Sequence, residues 1–125
     1  MIVGTGLDVA RVDRIQAAAT RFGKRFLERV FTPREMAYAD SKANRFERYA
    51  ARFAAKEAGM KAIGTGWRRG VRWHDFEVVN LKTGRPTLQL HGRARAVADE
   101  LGVANIWLSL THTEEFAMAQ VILET

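Results

Sequence analysis

Apolar residues recur with the period of an α-helix along one stretch in the middle of the chain, RFERYAARFAAKEAGMKAIGTG. This spacing predicts a long helix over residues 45–63, and the glycines of GTGWRRG end it. The apolar positions of the helix lie three or four residues apart, and they comprise Phe46, Tyr49, Ala50, Phe53 and Met60. The helix is therefore expected to pack one face against the rest of the domain.

The residues before this helix predict one strand and three short helices. The strand spans residues 2–10, and helices follow over 13–22 and 24–31. TPRE, residues 32–35, combines a threonine N-cap, a proline at the first helical position and a glutamate that completes a capping box. The third helix is predicted to begin there and to end near Lys42.

Alternation of apolar and polar residues predicts two hairpins in the second half of the chain. DFEVVNL and PTLQLHG are joined by KTGR, and NIWLSLTH and EFAMAQVIL meet at Thr113 and Glu114. Between the hairpins, RARAVADEL predicts a helix that Gly102 closes. The fold class is therefore α+β: residues 1–125 form a single domain whose long central helix packs on a mostly antiparallel sheet.

A carboxylate interrupts the apolar face of the long helix. Glu57 falls on the stripe between Phe53 and Met60. An ionised side chain that is buried without a partner is costly, so Glu57 needs a counter-charge or a shifted pKa. An ion pair with Lys61, one turn later, is the commoner explanation for a single buried carboxylate. Coordination of a metal ion is the alternative.

Asp8 favours the metal hypothesis. It lies at the end of an apolar strand, so its carboxylate and that of Glu57 can converge in one pocket. Two converging carboxylates repel each other unless a cation or a shared proton lies between them. The chain has no cysteine, and oxygen ligands favour Mg²⁺. Alternatively, Asp8 caps the following helix, although Asp13 is better placed to do so.

Basic side chains and a glycine-rich segment nearby are candidates for phosphate binding. They are Lys61 beside Glu57, Arg52 and Lys56 flanking the same face, the segment Gly64, Thr65 and Gly66, and His112 at the end of a strand. Each has a structural alternative: the glycine-rich segment can simply end the helix, and a histidine at a strand end is often only hydrogen-bonded.

The net charge of +6 indicates an anionic partner but does not identify it. Six basic residues lie close together in the first helical region: Arg11, Arg14, Arg21, Lys24, Arg25 and Arg29. They indicate either a docking face for an acidic helix or a phosphate backbone, or simply a solvated surface. WRRGVRWH, residues 67–74, resembles a stacking patch for nucleic acid. The absence of cysteine, of a signal peptide and of a long apolar segment favours a cytoplasmic protein.

Several of these motifs together resemble one enzyme family. GTGLDV at the N-terminus, RFAAKEAGMKAIGTG in mid-chain and the tail IWLSLTHTEEFAMAQVIL are similar to the holo-acyl-carrier-protein synthases, the small bacterial class of 4′-phosphopantetheinyl transferases. The resemblance covers essentially the whole chain. One position departs from the usual motif: Thr111 precedes His112 where serine is common, and the hydroxyl is kept.

The resemblance implies a reaction and a set of roles. A serine of acyl carrier protein attacks the β-phosphate of coenzyme A, phosphopantetheine is transferred, and adenosine 3′,5′-bisphosphate leaves. Asp8 and Glu57 hold Mg²⁺. Contacts to the coenzyme come from Lys61 and His112 at its phosphates, and from Arg52 and the Gly64, Thr65 and Gly66 backbone at its nucleotide end. The resemblance leaves the acceptor of the serine proton open: Glu57 and a metal-bound water are the favoured candidates, and Glu35 is a weaker one because it belongs to the capping box.

The resemblance also implies the partners. The acidic recognition helix of the carrier docks on the basic residues Arg14, Arg21, Lys24 and Arg25. The family is typically a homotrimer with active sites between subunits, and neither nucleic acid nor a membrane is a partner. The competing hypothesis is a small nucleic-acid-binding module built on residues 67–74. Such a module needs no carboxylate on the apolar face of its central helix.

Overall fold

The computed structural model describes residues 1–125. Its first half contains β1 (Ile2–Arg11), α1 (Val12–Phe22), α2 (Lys24–Val30), α3 (Pro33–Asp40) and α4 (Arg45–Ala62). A short 3-10 helix at Trp73–Asp75 precedes the second half, which contains β2 (Phe76–Asn80), β3 (Pro86–Leu90), α5 (Gly92–Glu100), β4 (Asn105–His112) and β5 (Phe116–Glu124). Every predicted element is present, and the α+β fold is confirmed. None of the helices is both long and apolar enough to cross a membrane.

The strands form two antiparallel sheets where the sequence predicted one. The larger sheet has the order β1-β5-β4, and β2 pairs with β3 in a separate two-stranded sheet. Both predicted hairpins, β2–β3 and β4–β5, are confirmed. The two sheets are not joined by hydrogen bonds, although β3 lies beside β4. The long helix α4 packs mainly against β1 and β5 of the larger sheet, and it also contacts β2 of the smaller one.

Two glycines let β1 touch the backbone of α4. A Cβ atom at Gly6 would lie 1.8 Å from the carbonyl oxygen of Ala58, and one at Gly4 would lie 2.2 Å from that of Ala62. Any side chain at either position would therefore force the strand and the helix apart. Asp8 is the next residue on the same face of β1, so this contact places its carboxylate over the second half of α4.

Burial of α4 extends beyond the predicted apolar stripe. Tyr49, Ala50 and Met60 are buried as expected, whereas Phe46 and Phe53 are only half-buried. The sides that face the two sheets are lined mainly by small residues, Ala51, Ala54, Ala55, Ala58, Gly59 and Ala62. Alanine and glycine permit close approach of a helix to strands on more than one side, and the periodicity of large apolar residues does not reveal that.

The predicted capping box at the start of α3 is present and extends into the core. The Thr32 side chain accepts from the Glu35 amide, and Glu35 accepts from the Thr32 amide at 2.9 Å. Glu35 also forms an ion pair with Lys56 at 2.7 Å, and both side chains are fully buried. Lys56 therefore does not flank the face of Glu57 as the sequence suggested, because its ammonium is directed into the core.

A second buried carboxylate, Glu77, is held by several donors. The Arg34 guanidinium donates to both of its oxygens at 2.8 and 3.2 Å, Thr32 Oγ1 donates at 2.6 Å, and His91 Nε2 lies 3.1 Å away. Burial on its own would raise the pKa of Glu77. The hydrogen bonds and the charge of Arg34 outweigh burial and lower that pKa to about 2.

The lowered pKa of Glu77 predicts a specific loss of stability in acid. A carboxyl whose pKa is depressed by folding stabilises the fold above its unfolded pKa, and this contribution is lost as the pH falls through the folded value. As the pH falls from ~4.5 to ~2, we expect protonation of Glu77 to lower the free energy of unfolding by about 2–3 kcal/mol. Urea unfolding at several pH values measures this, and Glu77→Gln should flatten the slope in that window. An unchanged slope would show that Glu77 does not carry this pH dependence.

Candidate active site

Asp8 and Glu57, distant in sequence, line one pocket between β1, α1 and α4. The pocket has a volume of about 530 Å³, and its charged lining residues are these two carboxylates, Arg11 and Arg14. Arg14 of α1 and Phe53 of α4 lie in its wall. We call this cavity the carboxylate pocket. The convergence expected from sequence is therefore present in the fold.

The two carboxylates interact electrostatically. Burial raises the pKa of Glu57, the negative charge of Asp8 raises it further, and the positive charge of Lys61 partly offsets both effects. The Glu57 carboxylate thus lies close enough to Asp8 to be repelled by it, in a setting that disfavours its ionised form. A cation placed between the two carboxylates would relieve this repulsion.

Lys61 pairs with Asp8 and not with Glu57. Its Nζ donates to Asp8 Oδ1 at 2.9 Å and to the backbone oxygen of Leu7 at 2.9 Å. The ion pair with Glu57 expected at a spacing of four residues is absent. Lys61 reaches β1 because the glycines of that strand bring it against α4. No side chain caps the beginning of α1, so Asp8 does not serve as its cap, and the Glu57 carboxylate is left without an ion-pair partner.

The donor set of the pocket fits Mg²⁺. Its metal-ligand candidates are two carboxylates, and no group of three or more acidic, histidine or cysteine side chains forms a metal cage in the structure. Mg²⁺ keeps several of its waters and typically binds through one or two carboxylates together with substrate phosphates. Asp8 and Glu57 are the residues that would hold it here.

His112 lies outside the carboxylate pocket. Within the larger sheet it is aligned with Ala117, and Ala117 is aligned with Ala10, so β5 separates His112 from β1. Its Nδ1 lies 2.8 Å from Glu47 Oε1 at the beginning of α4. Sequence reasoning did not identify Glu47, since an acidic residue in the first turn of a helix is expected there for the helix dipole alone.

Arg52 is on the opposite side of α4 from Glu57. It is nearly fully buried, its Nη2 donates to Asn80 Oδ1 at 2.8 Å, and its guanidinium lies 4.0 Å from the centre of the Tyr38 ring. Burial lowers its pKa, and its Nε has no hydrogen-bond partner. Within one chain, Arg52 therefore cannot share a phosphate with Glu57, because the body of the helix separates the two side chains.

The segment Gly64, Thr65 and Gly66 ends α4 and uses its own amides to do so. The amides of Thr65 and Gly66 both donate to the Met60 oxygen at 3.2 Å, and the Gly64 amide donates to Lys61 at 3.1 Å. The glycines have φ values of 79° and 52°, which other residues rarely adopt. The amides of the segment therefore serve the end of the helix, as in the structural alternative, and a contact between this segment and the coenzyme stays a prediction.

The four predicted docking residues, Arg14, Arg21, Lys24 and Arg25, are all exposed on α1 and α2. The other basic stretch, residues 67–74, is not an open stacking patch. The Trp73 ring packs against those of Phe53 and Trp67, with distances of 5.0 and 4.1 Å between ring centres. Of these three rings, only that of Trp67 is largely exposed.

The family model described as the 4′-phosphopantetheinyl transferase superfamily matches residues 4–121. The chain belongs to this superfamily. The match confirms the resemblance based on the sequence motifs, and it makes the protein an enzyme of the phosphopantetheinyl transferase class.

Individual relatives of the transferase agree with this assignment. The holo-acyl-carrier-protein synthase of Solibacter usitatus is 68% identical over 124 residues, which is 99% of each chain. A crystal structure of that enzyme from Neisseria meningitidis has a TM-score of 0.90 at 31% identity and covers 100% of both chains. The Helicobacter pylori enzyme in complex with coenzyme A has a TM-score of 0.84 at 27% identity, covering 96% of this chain and 99% of that one.

Proposed function

We propose that the transferase moves the 4′-phosphopantetheine group of coenzyme A onto a serine of apo-acyl carrier protein and releases adenosine 3′,5′-bisphosphate, with Mg²⁺ in the carboxylate pocket. The observation that carries the proposal is the pairing of Asp8 and Glu57 in one pocket beside Lys61. Two carboxylates and one lysine suit a site for a metal ion and a phosphate ester. The names of the relatives and the coenzyme A in the Helicobacter pylori structure support the same reaction.

The side chains in and beside the carboxylate pocket have different roles in the proposed reaction. Phosphoryl transfer needs positioning and charge neutralisation more than covalent help from the protein. When bound, Mg²⁺ neutralises charge on the pyrophosphate of the coenzyme. Asp8 and Glu57 hold the ion, and the Lys61 ammonium neutralises further charge. Among the side chains of this chain, Glu57 is the candidate acceptor for the serine proton, since it lines the carboxylate pocket and Glu35 is sealed in the core.

The basic surface of α1 and α2 is the proposed docking site for the carrier. Arg14, Arg21, Lys24 and Arg25 are exposed there, and Arg14 also lines the carboxylate pocket. An acidic helix lying along this surface would bring a serine at its end to the pocket mouth. Because the attraction is between exposed charges, it should steer association and weaken with salt.

Self-association is proposed from an apolar face of the larger sheet. The side of β1, β5 and β4 that faces away from α4 exposes Leu7, Val9, Trp107, Phe116 and Met118, each by at least 40%. Val9 and Met118 are directly opposite each other in the register, so the face is continuous. An exposed apolar patch of this kind is typical of a protein–protein interface. We propose that it forms a homotrimer.

In the proposed trimer, one coenzyme contacts two subunits. Asp8, Glu57 and Lys61 of one copy bind its pyrophosphate. In the neighbouring copy, His112 binds a phosphate of the coenzyme and Arg52 binds its nucleotide end. Two observations support the division: neither Arg52 nor His112 lines the carboxylate pocket of its own chain, and Arg52 is a buried cation with an unpaired Nε and no carboxylate partner. An anionic ligand would compensate such a charge.

The activity is tested by incubating the transferase with apo-carrier, coenzyme A and Mg²⁺ and then weighing the carrier by mass spectrometry. We expect the carrier to gain one phosphopantetheine, and to gain nothing when the divalent ion is chelated. An unmodified carrier under complete conditions would contradict the proposed function. Tight, steeply salt-dependent binding to nucleic acid would instead support the competing module.

The shared site predicts complementation between two inactive variants. Asp8→Asn and His112→Ala subunits should each lose activity as pure proteins. When they are mixed, unfolded and refolded together, mixed trimers contain a site with both intact halves, so part of the activity should return in the mass assay. Asp8→Asn mixed with Glu57→Gln is the matched control, because both changes lie in the same half, and it should stay inactive. Equal activity in the two mixtures would exclude the division between subunits.

A further inference from the structure

Lys61 forms an ion pair with Asp8, one of the two carboxylates that are proposed to bind the metal ion. Its Nζ lies 2.9 Å from Asp8 Oδ1, in a pair whose lysine side chain is 54% exposed and whose aspartate side chain is 12% exposed. The second bond of the ammonium goes to a neutral acceptor, the Leu7 carbonyl oxygen. The Glu57 carboxylate, by contrast, has no such partner, although it lies in the same pocket.

A divalent ion and the Lys61 ammonium cannot both stay on this carboxylate at low energetic cost. An ion bound to Asp8 would lie within a few ångströms of Nζ, where like charges repel strongly in a partly buried pocket. The strand that carries Asp8 packs closely against α4 through its glycines, so the backbone of Asp8 has little freedom to move away from the helix. The lysine stem is flexible and half-exposed, so the ammonium is the group that moves.

We propose that Lys61 is a displaceable counter-ion of Asp8 which makes the binding of divalent metal depend on the binding of a phosphate ester. Resting on the proposed function, this inference assigns Lys61 two successive partners. In the free enzyme it neutralises Asp8 and opposes the metal. When the pyrophosphate of coenzyme A arrives, the ammonium moves to a phosphate oxygen and leaves Asp8 open. Metal and coenzyme then bind cooperatively, and by linkage each increases the affinity for the other by the same factor.

The test measures metal affinity and not turnover. Mn²⁺ serves as the probe, because the electron paramagnetic resonance signal of the free ion falls as the ion is bound. Wild type and Lys61→Met are titrated with Mn²⁺, each with and without saturating coenzyme A and without carrier. Without coenzyme A, we expect Lys61→Met to bind Mn²⁺ about tenfold more tightly than wild type. Coenzyme A should strengthen Mn²⁺ binding to wild type, and its effect on the variant should be about tenfold smaller.

Two controls separate displacement from a general effect of charge. Arg14→Met also removes one positive charge that lines the carboxylate pocket, but Arg14 makes no ion pair with Asp8. It should change Mn²⁺ affinity by about twofold at most at physiological salt. Lys61→Gln, a second neutral variant, should behave as Lys61→Met does, and circular dichroism checks that all variants are folded.

The outcomes distinguish the inference from the function on which it rests. If wild type binds Mn²⁺ in the presence of coenzyme A but Lys61→Met gains no affinity beyond the Arg14→Met control, the counter-ion role is overturned and the metal site stands. If wild type binds no Mn²⁺ even with coenzyme A, both the metal site and the counter-ion role are overturned. Tighter binding with reduced coupling in both Lys61 variants supports the inference.

Discussion

Replacing Lys56 with methionine is expected to lower the free energy of unfolding by about 3–5 kcal/mol. Lys56 is fully buried, and its ammonium has three partners: Glu35 Oε1 at 2.7 Å, the Phe76 oxygen at 2.6 Å and the Trp73 oxygen at 3.2 Å. These contacts tie α4 to α3 and to the beginning of β2. Burial lowers the pKa of Lys56, and the Glu35 charge acts in the opposite direction.

The large expected loss of stability arises because the substitution leaves the Glu35 carboxylate buried without its counter-charge. Without Lys56, the Glu35 carboxylate stays buried with only amide donors, from Thr32 at 2.9 Å and Val78 at 2.8 Å. The backbone oxygens of Phe76 and Trp73 also lose the lysine as a donor, although the Trp73 oxygen keeps the Phe76 amide. An uncompensated buried charge is far more costly than the loss of the pair as a whole, so removing one partner is the severe change. Total stability of a small domain is about 5–15 kcal/mol, so the variant should be only marginally folded.

Lys61→Met is the matched control for this prediction. It removes an ion-paired lysine from the same helix, but the Lys61 side chain is 54% exposed, so we expect a loss of at most about 1 kcal/mol. The double variant Lys56→Met, Glu35→Gln should recover part of the stability, because the buried charge is gone. Urea denaturation measures all three. A Lys56→Met variant as stable as Lys61→Met would contradict the account of the buried pair.

Asp8→Asn and Glu57→Gln are each expected to lower kcat/KM by about a thousandfold or more, which corresponds to ~4 kcal/mol of transition-state stabilisation. Each substitution keeps the size of the side chain and removes one of the two charges that are proposed to hold Mg²⁺. Initial rates of carrier modification, followed by mass spectrometry at saturating Mg²⁺, provide the measurement. Asp13→Asn is the matched control, since Asp13 is an exposed aspartate of α1 that pairs with Arg11 and does not itself line the carboxylate pocket. It should retain near-normal activity.

Measuring the stability of the Asp8 and Glu57 variants should show whether activity is lost with the metal site or with the fold. A carboxyl whose pKa is raised by folding destabilises the protein above that folded pKa, and the penalty disappears below the unfolded value. The pKa of Glu57 is raised by burial and by Asp8, so Glu57→Gln should leave the metal-free protein slightly more stable at neutral pH. An inactive variant with an unchanged or higher melting temperature fits the account. Near-normal turnover in either variant would refute the metal assignment.

The long-range pairing of Asp8 with Glu57 could be predicted because both positions carry a local signal. A carboxylate on an apolar helix face and one at the end of an apolar strand are each unusual, and one domain of 125 residues has room for few such pockets. The capping box at Thr32 and the two hairpins were predictable for the same reason, since short-range turn and cap chemistry determines them.

Other features depend on packing that no local pattern encodes. The burial of Arg52 and Lys56 arises because β2 and β3 cover a side of α4 that the apolar stripe leaves polar. Lys61 pairs with Asp8 and not with Glu57 because β1 lies very close to α4, and the glycines at positions 4 and 6 permit this close approach. The partner of His112, Glu47, comes from an element 65 residues away in sequence. Spacing within one helix could not predict any of these contacts.

The most direct measurement is a crystal structure of the transferase grown with coenzyme A and Mn²⁺ in place of Mg²⁺, with anomalous diffraction to locate the metal. The account predicts one anomalous peak in the carboxylate pocket, at about 2.2 Å from oxygens of both Asp8 and Glu57 and bound to the pyrophosphate of the coenzyme. An ion bound elsewhere, or a coenzyme whose pyrophosphate lies away from these two carboxylates, would contradict it.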